Sequence, residues 1–474
     1  MFPQSSSPCS PCLRGVSSAA FAVLFLALLL RGGALLVIPD ALQADPDGYR
    51  QLAENLVTHG TFGAGEPTAY RPPLYPLLLT GCVALGDHAR AAIGVLHVVL
   101  GLATVTLVWV LARWWGLGKL GAVLAALLVA LDPILLTQSA QVMTETLAAF
   151  LTTAGLAALT WTGRRPTACR ALLAGATLAL GVLCRPTLLL WTVFVAVLLW
   201  LQLAFQHGLG ATAGLSSSAK DTVGQANRGT RHGMRQTPHF APIVFLLGML
   251  IVLSPWAIRN QLQFGRPIVT TTHGGYTLLL ANNPEFYEWL GTGAWGSVWR
   301  ADRFNAAWNG RKPHDELQAD RLAYSEAWKT IRQEPGTFFY ACLVRLGRFC
   351  SPLPHQVMAD ETPSRRLSRY LVCLWYLAEF SLVAIGVWGR RGASRGERRE
   401  GTDDRAVQPS PAALTPTLSQ RERGPTCWLW GLLLVASLLA AHAVYWTDMR
   451  MRGPAMPVIA LAAAAGLCRR GQHA

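Results

Sequence analysis

The chain has 474 residues, of which 52% are hydrophobic and only 14% are charged. Soluble domains carry about a quarter charged residues, so this composition excludes an ordinary soluble protein and indicates a polytopic membrane protein. The formal net charge of +15 would suggest nucleic-acid binding in a soluble protein. Here the Lys and Arg residues crowd the loops between apolar runs, as cytoplasmic loops of membrane proteins do, so we expect no nucleic-acid partner.

Ten apolar runs approach the length of about 20 residues that a membrane-crossing helix needs. They are residues 17–38, 89–112, 118–136, 143–162, 170–184, 187–206, 240–258, 367–388, 426–446 and 454–468. The fifth and the tenth are short. The pattern predicts an all-α polytopic membrane protein with about ten transmembrane helices, interfacial helices and a mixed exported loop domain.

Basic residues mark alternate loops between these runs. They include Arg113, Lys119, Arg164, Arg165, Arg170, Lys220, Arg228, Arg390, Arg391, Arg469 and Arg470. All of them fall on one side of the membrane if the amino terminus is cytoplasmic. The positive-inside rule therefore predicts that residues 1–16 and 469–474 are both cytoplasmic.

This topology divides the chain into four membrane segments and four large loops. The membrane segments are residues 17–206, 240–258, 367–388 and 426–468. Two loops, 207–239 and 389–425, lie on the cytoplasmic side and are rich in residues that resist packing, so we expect the first to be flexible and the second disordered. The other two are expected on the exported side. Loop 39–88 lies within the first membrane segment and carries the catalytic residues, and the larger loop is 259–366.

The exported loops contain helical patterns of their own. Apolar residues recur at helical spacing over residues 47–58 and 317–334, and each pattern predicts an amphipathic helix. The apolar stretch after Pro76 is too short to span comfortably and predicts a re-entrant or interfacial helix. A further interfacial helix is expected from Phe338 to Phe349.

Acidic residues near the first exported loop are the first candidates for chemistry. Asp45 and Asp47 follow directly after an apolar run, and carboxylates so close to hydrocarbon are costly unless they are solvated or functional. They are therefore either a catalytic base or the polar end of a helix. Glu145 begins the fourth apolar run; it is either a functional acid or a helix amino-terminal acid favoured by the helix dipole, with Thr144 as its cap.

Cationic and polar residues supply the second set of candidates. Arg185 lies at an exported turn, against the positive-inside bias, and its anionic partner is either a structural carboxylate or a substrate phosphate. Arg450 and Arg452 suit a lipid phosphate or pyrophosphate, and snorkelling to the interface is the alternative. Arg259 and Asn260 can donate to phosphate or sugar.

The order of the motifs along the chain resembles that of the GT-C superfamily of lipid-linked-sugar glycosyltransferases. The resemblance is to the bacterial branch related to protein mannosyltransferases and the lipid A aminoarabinose transferase. The matching motifs are Asp45 to Tyr49, Arg71 to Pro76, Thr144 to Leu147, Arg185-Pro186, Pro255 to Asn260, Gly275, Asn282 to Pro284 and Arg450 to Pro454. The acid pair usual in the first loop reads Asp45-Pro46 here, and Met451 stands where a tyrosine often lies.

The resemblance implies transfer of a sugar, with inversion, from a polyprenyl-phosphate donor to a hydroxyl acceptor on the exported face of a bacterial inner membrane. The implied base is Asp45, with Asp47 second, and Glu145 would orient the acceptor or the base. The implied substrate-binding residues are Tyr49, Arg71, Tyr75, Arg185, Arg259, Asn260, His273, Asn282, Arg450 and Arg452. We predict no cofactor and no obligatory metal, although some relatives use a divalent ion.

Two other functions are compatible with the sequence. A lipid or glycolipid transporter would place ionisable residues near the bilayer midplane, and the apolar runs contain Arg31, His97, Glu379 and His442. A catalytically inactive scaffold of the same fold is the second alternative.

Overall fold

The computed structural model describes residues 18–38, 40–217, 241–292, 298–355, 361–399 and 425–470. Residues 1–17, 218–240 and 400–424 lie outside the described part, and so do the structural predictions made for them. Within the described ranges the secondary structure is helical and contains no strand. This confirms the predicted all-α class.

The first half of the chain forms ten helices, counted within the described residues. They are α1 (Ser18–Val37), α2 (Tyr49–His59), α3 (Leu74–Val83), α4 (Ala89–Trp114), α5 (Gly118–Leu131), α6 (Pro133–Ser139), α7 (Glu145–Arg164), α8 (Ala168–Cys184), α9 (Leu188–Ser217) and α10 (Ala241–Phe264). The predicted helices in the first exported loop correspond to α2 and α3.

The described part of the second half contributes eight more helices. They are α11 (Gly274–Ala281), α12 (Pro284–Gly291), α13 (Asp302–Arg311), α14 (Glu316–Gln333), α15 (Pro335–Cys350), α16 (Pro363–Arg399), α17 (Pro425–Val444) and α18 (Met456–Arg470). A 3-10 turn, Met449–Ala455, leads into α18. The described part of the large loop thus contains helices joined by short connections and no strand, and α14 and α15 coincide with the two helices predicted there.

Seven helices of the described part are long and apolar enough to cross a membrane, or eight if the bent pair α5 and α6 forms one span. Two of the predicted runs, the fifth and the sixth, correspond to the shorter apolar stretches Ala168–Cys184 and Leu188–Ala204. Every predicted run therefore coincides with apolar helix, but the count of ten is not confirmed. The polytopic membrane class is confirmed.

Two helices continue into residues expected to be spacers. α9 extends to Ser217, past the predicted end at residue 206, and α16 extends to Arg399, past residue 388. A helix that is already formed adds a residue at little cost, because propagation avoids the entropic penalty of nucleation. The predicted spans therefore end where the residues become polar, whereas the helices themselves continue further.

The break between α5 and α6 comes from an Asp-Pro pair. Asp132 caps α6 by accepting a hydrogen bond from the backbone N–H of Leu135 at 2.8 Å, and Pro133 occupies the first helical position. Proline lacks the N–H that would continue the α5 ladder. The two axes consequently meet at 50°.

Glycines allow α8 and α10 to pack at close range. A Cβ atom added at Gly175 would lie 1.9 Å from the carbonyl oxygen of Phe245, and one at Gly248 would lie 2.1 Å from that of Leu172. Neither contact is sterically possible for a larger residue. Small residues of this kind are the usual means by which membrane helices bring their backbones together.

The antiparallel course of the helices brings five chain segments to one end of the bundle. These are the loop after α1, the loop before α3, the start of α7, the end of α8 and the 3-10 turn before α18. The helices α11 to α15 pack on a separate aromatic core built around Phe286, Trp299 and Trp446. Charged residues from all five segments form the site described below.

We predict that Gly175→Ala and Gly248→Ala each lower the stability of the folded protein by about 1–3 kcal/mol, the usual cost of overpacking. Apparent Tm in detergent measures the effect. The matched control is Gly163→Ala in α7, where a Cβ meets no atom within 4 Å. Equal Tm values for the three variants would contradict the close helix contact.

Candidate active site

Glu145 is the most deeply buried carboxylate at this end of the bundle, with no solvent exposure. Its Oε1 lies 3.3 Å from Nη1 of Arg185 and 3.8 Å from Nε of Arg450. Neither carboxylate oxygen has a hydrogen-bond partner among the described residues. The charge is held by two guanidinium groups and by the positive end of the α7 dipole.

Glu145 lies in this position because α7 begins there. The side chain of Thr144 makes no capping hydrogen bond, so the expected threonine cap is absent. The start of α7 is held instead by neighbouring elements. Thr152 Oγ1 donates to the carbonyl of Pro454 at 2.8 Å and ties α7 to the turn before α18.

Arg185 follows the last residue of α8, where the backbone becomes extended. Its Nη1 has no hydrogen bond among the described residues, and its Nη2 donates to the sulfur of Met451. The side chain is only 11% exposed. This arginine therefore has a carboxylate neighbour but retains a free donor.

Arg450 is held by Asp448 as well as by Glu145. Its backbone N–H donates to Asp448 Oδ1 at 2.9 Å and its Nε to Oδ2 at 3.1 Å. The Arg450 side chain is 34% exposed and that of Asp448 44% exposed. Asp448 stands two residues before Arg450, and we did not name it as a site residue from the sequence.

The second part of the site is an ion pair in the first loop. Arg71 Nη2 donates to Asp47 Oδ1 at 2.9 Å, and the two side chains are 19% and 25% exposed. The Arg71 guanidinium also lies over the rings of Tyr49 and Tyr70, at 5.7 Å and 5.3 Å from the centroids. Asp47 Oδ2 has no hydrogen bond within the described part of the chain.

Asp45 performs a different task from Asp47. Its Oδ1 accepts the backbone N–H of Tyr49 at 2.8 Å and its Oδ2 that of Gln51 at 3.0 Å. These are unpaired donors at the start of α2, so Asp45 caps this helix although it lies before the terminal Gly48. Gly48 has a positive φ of 72°, which lets the chain turn back onto the carboxylate.

Two buried tyrosines lie between the charges around Glu145 and the Asp47–Arg71 ion pair. Tyr49 and Tyr75 are buried and meet edge to face at 5.4 Å. Burial raises the pKa of Tyr49, and the Arg71 charge acts in the opposite direction. The hydroxyl of Tyr75 lies 2.8 Å from Nε2 of His97.

His273 packs against two other tyrosines near this pair. Its ring meets Tyr70 at 4.3 Å and Tyr276 at 5.4 Å between centroids. Burial, reinforced by the Arg71 charge, lowers the pKa of His273 to about 3. The imidazole is therefore neutral at physiological pH.

Four of the predicted substrate-binding residues lie away from the charged site. Arg452 points into the bundle, donating to the carbonyls of Phe349 and Ser351 and lying over the Tyr376 ring. Arg259 donates to the carbonyls of Thr68 and Phe62. Asn260 and Asn282 are fully buried and donate to backbone carbonyls, including Ile268 and Val444 respectively. Their amide and guanidinium groups connect loops to helices.

Among the described residues, no group of three or more His, Cys, Asp or Glu side chains is arranged to hold a metal ion.

The fold and the charged site at its end define a polytopic membrane protein with paired acids and arginines at one surface. Residues 76–258, which include Glu145 and Arg185, match the family model described as dolichyl-phosphate-mannose-protein mannosyltransferase. The match confirms the predicted resemblance to the GT-C glycosyltransferases over this part of the chain. No curated protein sequence matches the chain.

Two solved structures are similar in outline. The match to the Archaeoglobus fulgidus oligosaccharyltransferase in complex with Zn and sulfate covers 95% of this chain and 49% of that protein's chain, at 13% identity and a TM-score of 0.48. The match to ArnT from Cupriavidus metallidurans bound to undecaprenyl phosphate covers 96% of this chain and 79% of that protein's chain, at 14% identity and a TM-score of 0.37. The chain thus spans about half the length of the oligosaccharyltransferase.

We predict that His273 makes stability fall as pH is lowered from 7 to 5. Its pKa of about 3 in the folded protein lies below the value of about 6.5 in an unfolded chain, so only the unfolded state gains a proton in this window. The loss is up to about 2 kcal/mol. His273→Phe retains an aromatic ring beside Tyr70 and removes this contribution.

The comparison of Tm between pH 7 and pH 5 for wild type and His273→Phe measures this contribution. The variant should lose less stability on acidification than the wild type. An identical pH dependence in both proteins would show that His273 is not buried as a neutral group.

Proposed function

We propose that this protein transfers a sugar from a polyprenyl-phosphate donor to a hydroxyl group of a lipid, glycan or protein. The family match to residues 76–258 supports a donor of this class. The proposed location is a bacterial inner membrane, with both termini cytoplasmic and the charged site on the exported face. The positive-inside distribution of Lys and Arg supports this orientation.

The observation that carries the proposal is the pair of arginines around Glu145. Arg185 and Arg450 converge on one carboxylate oxygen at 3.3 Å and 3.8 Å, distances that leave guanidinium donors available. A phosphate that leaves from a sugar gains negative charge as its bond to the sugar breaks. Fixed cations that face this charge lower the barrier.

We propose Asp47 as the general base. Its Oδ2 has no hydrogen bond among the described residues, whereas both oxygens of Asp45 are occupied by backbone N–H groups of α2. A base needs a free lone pair within reach of the acceptor hydroxyl. The order expected from the sequence, Asp45 before Asp47, is therefore reversed in this proposal.

The proposed reaction is a single displacement with inversion. Asp47 takes the proton of the acceptor hydroxyl, and the hydroxyl oxygen forms a bond to the anomeric carbon. The bond between that carbon and the phosphate oxygen breaks, and polyprenyl phosphate leaves with the electron pair. Arg185 and Arg450 stabilise the departing phosphate, while Glu145 holds both arginines in place.

Two of the four intramembrane ionisable residues, Arg31 and His97, support structure rather than transport in this proposal. Arg31 donates to the carbonyl of Leu135 at 3.3 Å. His97 lies between the hydroxyl of Tyr75 and the carbonyl of Ser139, at 2.8 Å and 2.9 Å. Both side chains join helix to helix within the bundle.

We predict that Asp47→Asn lowers the turnover rate about 10²- to 10⁴-fold, the usual contribution of a general base. Asp45→Asn should retain most activity, because its amide oxygen still accepts the N–H of Tyr49, and only the hydrogen bond from Gln51 is lost. The measurement is transfer of labelled sugar from polyprenyl-phosphate mannose to membrane acceptors. Glycolipid and glycoprotein mass spectrometry of a deletion strain identifies the acceptor class.

The same assay with Asp45→Ala separates the cap from the base. This variant should lower Tm, since a lost cap costs about 1 kcal/mol. Activity that survives in Asp47→Asn and is abolished in Asp45→Asn would restore Asp45 as the base and exclude the assignment proposed here.

We predict that Arg185→Ala and Arg450→Ala each weaken binding of undecaprenyl phosphate about 10- to 100-fold, because each removes a charged donor worth about 1.5–3 kcal/mol. Titration of purified protein with undecaprenyl phosphate gives Kd. Arg170→Ala is the matched control, because Arg170 lies at the opposite end of α8 and stacks on Trp161. Equal Kd values in all four proteins would exclude the proposed phosphate site.

A further inference from the structure

Glu316 connects the large exported-loop segment to the first loop. It is the first residue of α14, directly after the helix cap Asp315. Its Oε1 accepts the backbone N–H of Ala69 at 2.9 Å and also the hydroxyl of Thr272, while Oε2 accepts the hydroxyl of Thr68 at 2.5 Å. One carboxylate thus receives three donors from two separate loops.

The segment that Glu316 holds is fixed from its other side as well. Arg259 donates to the carbonyl of Thr68 at 2.9 Å. The backbone N–H of Thr272 donates to the carbonyl of Ala69 at 3.1 Å. The polar groups of residues 68 and 69 are therefore satisfied by fixed partners, and Glu316 is the only carboxylate among those partners in the described part of the chain.

This segment leads directly to the proposed catalytic pair. Tyr70 donates its N–H to Thr68 Oγ1 at 3.0 Å. Arg71 comes next and holds Asp47 at 2.9 Å. The backbone position of residues 68–70 therefore sets where the Arg71 side chain originates, and Arg71 sets the orientation of the Asp47 carboxylate.

We infer that Glu316 is a positioning residue for sugar transfer. It acts through the segment 68–71 and places Arg71 and Asp47 against the acceptor hydroxyl. The inference rests on the proposed function for its kinetic consequence, but the structural link stands independently of any substrate. Because a misplacement of about 1 Å at a reacting group can cost 10²-fold in rate, the effect is measurable.

The geometry predicts which substitutions are tolerated. Glutamine at residue 316 retains an Oε1 that accepts from Ala69 and Thr272. Its amide can donate to the Thr68 hydroxyl, which has a second lone pair besides the one that accepts from Tyr70. Glu316→Gln should therefore preserve the link, and Glu316→Ala should remove it.

Hydrogen exchange of the protein in nanodiscs tests the link directly. In Glu316→Ala we expect the amides of Ala69 and Tyr70 to exchange about tenfold faster than in the wild type, because one hydrogen bond to a charged acceptor is lost. The matched control is Glu326→Ala in the same helix, where the carboxylate pairs with Arg311 at 2.8 Å and 2.9 Å. Unchanged exchange at residues 69 and 70 would overturn the inference.

Kinetics with polyprenyl-phosphate mannose distinguish positioning from a merely structural role. Glu316→Ala should lower kcat about 10- to 100-fold and leave KM for the donor within about threefold. Glu316→Gln should restore kcat, and Glu326→Ala should leave it unchanged. The double variant of Glu316→Ala with Arg71→Ala should be no slower than Arg71→Ala alone, because both act through one carboxylate.

Two results separate failure of this inference from failure of the proposed function. Additive losses in the double variant, or an unchanged kcat in Glu316→Ala, would exclude the positioning role while transfer itself persists. A wild-type protein that neither binds undecaprenyl phosphate nor transfers sugar would exclude the proposed function. Faster exchange at residues 69 and 70 in Glu316→Ala would then still establish the structural link.

Discussion

The buried carboxylate of Glu145 is the interaction on which the charged end of the bundle depends. A carboxylate with no solvent exposure loses its hydration, and attraction to nearby cations must offset that loss. Arg185 and Arg450 supply it from two other segments, the end of α8 and the turn before α18. Removal of either partner would leave a buried charge poorly compensated. This single residue therefore fixes three chain segments relative to one another.

The first loop brings a second group of charges to the same surface by different means. Asp47 and Arg71 form an ion pair. The backbone just before Arg71 is held by hydrogen bonds with Glu316 and Arg259. These contacts come from α14 and α10, which are 248 and 191 residues away along the chain respectively. The site thus combines the end of the helix bundle with a loop held by residues that are distant in sequence. Functional residues often lie on loops that a rigid scaffold positions in this way.

Local sequence pattern predicted the helices and the surface at which the charges meet, because apolar length and helical spacing are local properties. It also singled out Glu145 and Arg185, since an arginine against the positive-inside bias needs an anion. The pattern could not separate Arg450 from Arg452. A 3-10 turn with three residues per turn directs residues two apart to different sides, and only one of them faces Glu145. Glu316 carried no signal at all, because its partners are backbone and hydroxyl groups of remote loops.

The balance of charge at the site bears on how it would treat a phosphate. Asp47, Glu145 and Asp448 face Arg71, Arg185 and Arg450, so the arginines are largely neutralised before a donor arrives. Their guanidinium groups are nonetheless held in fixed positions, and a fixed cation needs little reorganisation when charge develops nearby. A donor phosphodiester carries one negative charge, and the released phosphate gains more. The long contacts to Glu145 are weaker than a direct hydrogen bond to phosphate oxygen would be. Replacement of Glu145 by a phosphate oxygen as the partner of the arginines would therefore favour the departing phosphate over the intact donor. Such stronger binding of the developing charge is what accelerates a reaction.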